Sequence, residues 1–268
     1  MIRSTIPAFG LFILVAACGG GTSGPPEGST AAGSAPTAKT TALATGADVM
    51  QAKAPVDRIA MYLVGFHPSK EDPSMQMESH HYCTQVNEDF AQCVLFDGNT
   101  DSARMHGVEY IISETLYGTL PAEERAYWHP HNYEILSGQL RAPGLPAVAE
   151  HEAMKSKLNS YGKTWHVWNT GAPGRPADAL PLGPPHLAWS FNHDGEMDPA
   201  LGQARDQRMS LDTAQERGRR EAWAASARPQ NGVEALARKF PGARGAPAGV
   251  AEAGDPATTA VPVVTMRK

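Results

Sequence analysis

Apolar and polar positions alternate with period two most densely over residues 79–97, SHHYCTQVNEDFAQCVLFD. Tyr82, Thr84 and Val86 alternate with His81, Cys83 and Gln85. Beyond Asn87-Glu88-Asp89, Phe90, Gln92, Val94 and Phe96 alternate with Ala91, Cys93, Leu95 and Asp97. This period puts successive side chains on opposite faces of a strand. Asn and Asp tolerate left-handed backbone and bond their own main chain, so the polar triplet has a turn composition and the stretch predicts a hairpin. A three-residue loop centred on Glu88 pairs Val86 with Phe90, Cys83 with Cys93, His81 with Leu95 and His80 with Phe96. A two-residue turn shifts that pairing by one and separates the cysteines. On this reading Tyr82, Val86, Phe90, Val94 and Phe96 make the core face, and His81, Cys83, Cys93 and Asp97 gather on the other.

Patterning outside the hairpin is shorter. Residues 57–65 (DRIAMYLVG) could begin as a helix or form a strand. Residues 107–113 (GVEYIIS) read as a strand with Val108, Tyr110 and Ile112 on one face. Leu120-Pro121-Ala122-Glu123-Glu124 opens a short helix, with proline near the first turn and acids toward the dipole. Residues 146–161 give a helix stopped by Gly162. Residues 164–169 and 186–192 read as strands, and residues 210–225 as a polar amphipathic helix. Strands and helices mix without regular alternation, which predicts an α+β domain over residues 49–227 with a largely antiparallel sheet and flanking helices.

The flanks differ in kind. Residues 1–18 carry Arg3, an apolar run over residues 9–17 too short to span a bilayer, and small residues ending at Cys18. Val15-Ala16-Ala17-Cys18 resembles the lipobox of bacterial lipoproteins, in which the cysteine is acylated after cleavage; several acyl chains give stable anchoring where one does not. Gly19 follows Cys18, and nothing there resembles the aspartate that retains such proteins at the inner membrane. The expectation is a protein of the cell envelope, lipid-anchored in the outer membrane and facing the periplasm. Residues 19–48, rich in Gly, Ser, Thr, Ala and Pro, read as a disordered tether whose ends lie about 30 Å apart. Residues 228–268 read as a low-complexity tail in which VPVV could pair as a short strand.

A chain of 268 residues with 41% hydrophobic content can build one substantial core. Its net charge of -5, with no basic run and no aromatics interleaved with Lys or Arg, argues against nucleic-acid binding. No Gly-x-Ser-x-Gly elbow and no phosphate-binding glycine loop are present.

Candidate chemistry rests on histidine. His129-Pro130-His131 with Glu134 offers imidazole and carboxylate ligands: extended, the two histidines point the same way; helical after Pro130, Glu134 comes under His131. His81 and Cys83 offer further ligands. A site shared between the two sets, with a histidine of the pair beside His81, would suit Zn or Fe. Cys83 and Cys93 are equally a disulfide pair, and the same residues could simply fill a buried layer. His-x-His before Glu134 and Gly138 lies near one cupin motif, and Pro181-x-Gly183-x-x-His186 near the second. Glu109, inside an apolar strand, calls for a partner, and Arg104 is the expected one. Met75 and Met77 beside His67 read as gap-filling.

Taken in order, His80-His81-Tyr82-Cys83, Asn87-Glu88, Gln92-Cys93, Ala103-Arg104 and residues 107–113 resemble the oil-body-associated protein family. The likeness continues through Leu120-Pro121, Trp128-His129, His131, Glu134, Ser137-Gly138, Tyr161-Gly162-Lys163, residues 180–183 and Arg205-Asp206. It covers about two thirds of the chain, and residues 172–177 (APGRPA) stand as an insertion before Leu180. The family is a domain of unknown function, and its plant members sit on lipid storage bodies. The resemblance therefore implies work at a lipid interface, here an envelope lipoprotein of non-enzymatic kind. The alternative is a metal-binding protein or metal-dependent enzyme using the His/Cys/Glu cluster.

Overall fold

The computed structural model describes residues 32–254. In chain order the elements are α1 (Ala38–Met50), α2 (Ala54–Asp57), β1 (Met61–Pro68), β2 (Gln76–Asn87), β3 (Phe90–Phe96), β4 (Met105–Ile112), α3 (Glu114–Gly118), α4 (Ala122–Arg125), β5 (His129–Pro130), α5 (Asn132–Leu136), α6 (Ala147–Lys157), β6 (Tyr161–His166), β7 (His186–Ala188), α7 (Pro199–Met209) and α8 (Thr213–Arg220), with a 3-10 turn at Glu221–Ser226. The architecture is α+β: an antiparallel sheet with flanking helices. Among the described residues no helix is long and apolar enough to cross a membrane.

The sheet runs β1-β2-β3-β4-β6, and two short strands share the far edge of β6. β5 pairs with Tyr161 and Gly162, and β7 pairs with Thr164 to His166. The sheet then curls back on itself. Ser69 bridges Ala188, the Trp189 N–H donates to the Pro68 carbonyl and the Lys70 N–H to the Leu187 carbonyl, both at 2.8 Å. Val64 exchanges backbone hydrogen bonds of 2.9 Å with Arg141. These contacts cover the edge of β1, which would otherwise present unpaired N–H and C=O groups. Outside β1 and β2, α7 sets the Arg205 guanidinium 4.8 Å from the centre of the Phe66 ring and Arg208 against Glu78.

The hairpin pairs Cys83 with Cys93, His81 with Leu95 and His80 with Phe96, as the sequence predicts, but reaches that register by another turn. Asn87 pairs with Phe90, so only Glu88 and Asp89 turn, and a bulge between Gln85 and Asn87 takes up the extra residue. A bulge sets two residues against one. Here it restores the pairing that a two-residue turn alone would shift.

The predicted faces are reversed. His81, Cys83, Ala91, Cys93 and Leu95 are buried, whereas Val86 is exposed and Tyr82, Phe90, Val94 and Phe96 are half-buried. Curling encloses the histidine and cysteine side and leaves the aromatic side outermost. There the rings cover one another, with centroids 5.1 Å apart for Tyr62 and Tyr82, 5.5 Å for Tyr82 and Phe96 and 5.9 Å for Phe90 and Tyr110. On β4, likewise, Val108 and Tyr110 face outward and Glu109 and Ile111 inward.

Segment boundaries also differ. Helix α6 ends at Lys157, and Gly162, expected as its stop signal, sits inside β6, which starts three residues before the predicted strand. Residues 38–48, the end of the stretch read as tether, continue with residues 49 and 50 as a helix with no buried residue; Ala-rich composition favours helix without a packed face. Residues 228–254, read as tail, pack on the domain: Gln230, Val233 and Leu236 are buried, and Gln230 donates to the Ser160 carbonyl at 2.8 Å and accepts from the Asn132 N–H at 3.0 Å. Small residues there let backbone lie against Trp189, whose indole donates to the Gly232 carbonyl at 3.0 Å. The anchor segment 1–18 and the VPVV segment lie outside the described residues.

Candidate metal centre

The enclosed face collects His67 from β1, His81 from β2 and Glu109 from β4. Each stands at an inward position of its strand, and an inward carboxylate needs compensating partners. The fourth side is the segment 129–134. His129 is extended in β5, the chain turns helical after Pro130, and the His131 carbonyl accepts the Ile135 N–H at 3.1 Å. His129 and His131 thus reach inward together, with Glu134 one turn later. All six side chains are buried.

Glu109 is the hub. Its Oε1 lies 3.3 Å from His131 Nε2 and 3.6 Å from His129 Nε2, and its Oε2 lies 2.8 Å from His81 Nε2 and 4.0 Å from His67 Nε2. His67 Nε2 is also 3.9 Å from Glu134 Oε1. Ligands about 2.0 to 2.2 Å from a common ion lie about 3 to 4 Å from one another. Two overlapping triads come near this condition, with ligand atoms all within 4.8 Å of one another: His67, Glu109 and His129, and His129, His131 and Glu134.

Hydrogen bonding fixes the tautomer of His131. Ser160 Oγ donates to the Lys157 carbonyl at 2.8 Å and lies 2.8 Å from His131 Nδ1. With its one proton committed, the hydroxyl accepts from Nδ1–H, so that Nε2 faces Glu109 Oε1 as a donor when the ring is protonated and as a lone pair when it is neutral. In the neutral ring that contact sets lone pair against lone pair, which a shared cation would relieve. Both ring nitrogens of His129, Nδ1 of His81 and Oε1 of Glu134 are buried without a hydrogen-bond partner. Each such orphan costs about 1–3 kcal/mol, and several in one cluster call for a common explanation.

Electrostatics divides the two carboxylates. Burial works to raise the Glu109 carboxyl, yet His81, His131 and His67 around it hold it well below the ordinary carboxylate range. Burial and then the Glu109 charge push Glu134 well above that range. Burial lowers His67 to about 3 and takes His129 well below its ordinary value, so these rings are neutral and can ligate. Behind them, His67 Nδ1 lies 3.4 Å from His166 Nε2, and the His166 and His106 rings pack with centroids 4.7 Å apart.

Of the residues singled out in the sequence, His81, His129, His131 and Glu134 converge. Cys83 does not join them as a ligand: it forms a disulfide with Cys93, with Cα atoms 4.1 Å apart. Asp97 pairs instead with Arg104, which donates to it at 2.7 and 2.8 Å, so Arg104 is not the partner of Glu109. His186, of the second cupin-like motif, belongs to neither triad. His67, Glu109 and Gly162 are additions. Glu109 carried a signal, a carboxylate inside an apolar strand, whereas His67, just past the ambiguous run 57–65, stood out only beside Met75 and Met77.

Residues 53–224 match the sequence profile of a family described as protein of unknown function, DUF1264. Oil body-associated protein 1A of Zea mays is 36% identical over 198 residues, which cover 74% of this chain and 80% of the relative. Oil body-associated protein 1B of Arabidopsis thaliana is 34% identical over 198 residues, covering 74% and 79%. Oil body-associated protein 2B of Arabidopsis thaliana is 36% identical over 181 residues, covering 66% and 72%. No solved structure matches. The profile spans every residue of the His/Glu cluster from His67 to Glu134, and the chain belongs to the DUF1264 family, that of the oil-body-associated proteins.

Proposed function

We propose that this domain is a metal-binding protein whose curled sheet holds a divalent transition ion, of the zinc or iron kind, among Glu109, His129, His131, His67 and Glu134. The observation that carries it is the approach of two imidazole Nε2 atoms to one buried carboxylate oxygen, at 3.3 and 3.6 Å. Imidazole and carboxylate donors suit such ions. His81, hydrogen-bonded to Glu109, and Ser160, hydrogen-bonded to His131, orient the ligands as outer-shell partners do. Elemental analysis of the full chain, purified without chelator, tests this. About one equivalent of metal is expected in the wild type and none in His131→Ala, with circular dichroism unchanged. A folded wild type that holds no metal, even after dialysis against zinc or iron(II), leaves a hydrogen-bonded histidine and carboxylate core instead.

A second reading concerns location. Val15-Ala16-Ala17-Cys18 supports acylation of Cys18 and carriage of the domain at an envelope lipid surface, and the relatives are named as oil body-associated proteins. Residues 1–52 lie outside the family match, which is consistent with an addressing segment joined to the domain. Intact mass of Cys18 in the membrane fraction tests it: a mature chain with an unmodified Cys18 removes the reading.

A further inference from the structure

One cavity of the molecule opens onto the cluster. It measures about 10 Å³, room for a single water-sized molecule, and its polar lining is His81, Glu109, His131 and Glu134. Its apolar lining comes from Leu63, Ile111 and Leu140. Lys157 completes the lining and is its one residue with appreciable exposure, the rest being buried. The Lys157 ammonium donates to Gln85 Oε1 at 3.3 Å, so its stem lies between the cavity and solvent. Gly65 helps shape the space: a side chain there would press on Leu140 Cδ1, already 3.0 Å from where its Cβ would lie.

Structural metal sites are closed by four protein ligands, whereas reactive ones keep a position for a small exogenous ligand. We infer that the ion in this protein keeps such a position on the cavity side, taking a water-sized ligand, or a small anion of two or three heavy atoms whose far end displaces the half-exposed Lys157 side chain as it enters. The inference rests on the metal reading above. Apolar walls exclude bulk water and strengthen the attraction between ion and ligand. The cavity's size excludes larger organic substrates unless Lys157 and Leu140 move.

The test uses the full chain loaded with cobalt(II), a spectroscopic substitute, and azide as probe. In the wild type azide is expected to shift the visible cobalt bands saturably. Leu140→Phe, which fills the cavity, is expected to keep its cobalt and bind azide at least 10-fold more weakly. Lys157→Ala, at the surface and tolerant of folding, is expected to raise the azide on-rate several-fold at unchanged cobalt content. Cobalt bound stoichiometrically with bands that azide does not move means a closed site, and overturns this inference while leaving the metal reading intact. Failure to bind cobalt, zinc or iron overturns both.

Discussion

Gly162 lies directly opposite His129 in the pairing of β5 with β6, and its missing side chain is the space in which the imidazoles meet the carboxylate. A Cβ at position 162 would stand 2.6 Å from Nε2 of both His129 and His131, and nearer still to Glu109 Oε1. Such atoms must shift, and they are the ones that would hold the ion. Gly162→Ala is therefore expected to abolish metal retention. Overpacking of this kind costs about 1–3 kcal/mol, so it should lower the melting temperature without unfolding the chain at room temperature. Metal content and a thermal melt on the same preparation check this; a variant with full metal content would show that the ligands meet elsewhere.

The disulfide bears on the same site from β3. Cys93 is the cross-strand neighbour of Glu109, and Cys83 lies two residues from His81 on the same inward face. Because the sulfurs are bonded to each other, neither is a metal ligand. The double variant Cys83→Ser/Cys93→Ser is expected to keep its metal and lose about 2–3 kcal/mol of stability, the scale for closing a short loop. Parallel urea unfolding of oxidised, reduced and serine forms measures the loss. Metal lost from the serine form, but kept by the reduced wild type, would point to a thiolate ligand.

The sheet was legible in the sequence wherever alternation ran long. β2, β3 and β4 appear close to their predicted places because six or more residues alternate in each. Their inward direction was not, since apolar count pointed to Tyr82, Val94 and Phe96. Only closure of the sheet through Ser69 and Ala188, a contact across more than a hundred residues, decides which face is enclosed. The segment 129–134 announced itself by chemistry, two histidines and a glutamate in six residues. His67 and Gly162 did not, because their role is set by strands that meet only in three dimensions. The packing of residues 228–254 was hidden for a related reason: Gly, Ala and Pro suggest disorder by composition, but here they fit backbone closely to Trp189.

His106 gives a pH prediction separate from metal content. Its ring is fully buried on β4, and burial, with His67 and His81 nearby, lowers it to about 3. The unfolded chain binds a proton near the ordinary value of 6.5 and the folded chain does not. Stability is therefore full above that value and falls as pH drops from 6.5 toward 3. His106→Leu removes one such group, and its urea midpoint should fall less steeply over that window than the wild type's. Identical slopes in the two proteins would mean that His106 charges within the fold.

Arg220 anchors the segment that carries Glu134, and its loss tests how the site is held in place. Fully buried, it donates to the Ile135 carbonyl at 2.8 Å, the Leu140 carbonyl at 2.9 Å and Glu216 Oε1 at 2.9 Å, and so ties both ends of the turn after α5 to α8. Glu216 also receives His151 at 2.8 Å, and Glu150 receives Arg141 at 2.7 Å. Burial works to raise both carboxyls, but Arg220 and Arg141 beside Glu216, and Arg141 with the Ala142 N–H beside Glu150, hold them below 4.5. With folded values below unfolded ones, the stabilisation is complete above about pH 4.5 and is lost as pH falls through the folded values. Removing one member of a buried pair leaves the other charge uncompensated, a cost of about 3–5 kcal/mol. Arg220→Met should show that loss at pH 7 and should also weaken metal retention, since Ile135, next to Glu134, and Leu140 lose their common tether. Glu216→Gln keeps the shape, and is expected to lose less stability and to flatten the acid limb of the profile. Metal affinity unchanged in Arg220→Met, despite the lost stability, would show that the ligand turn holds its place without the arginine.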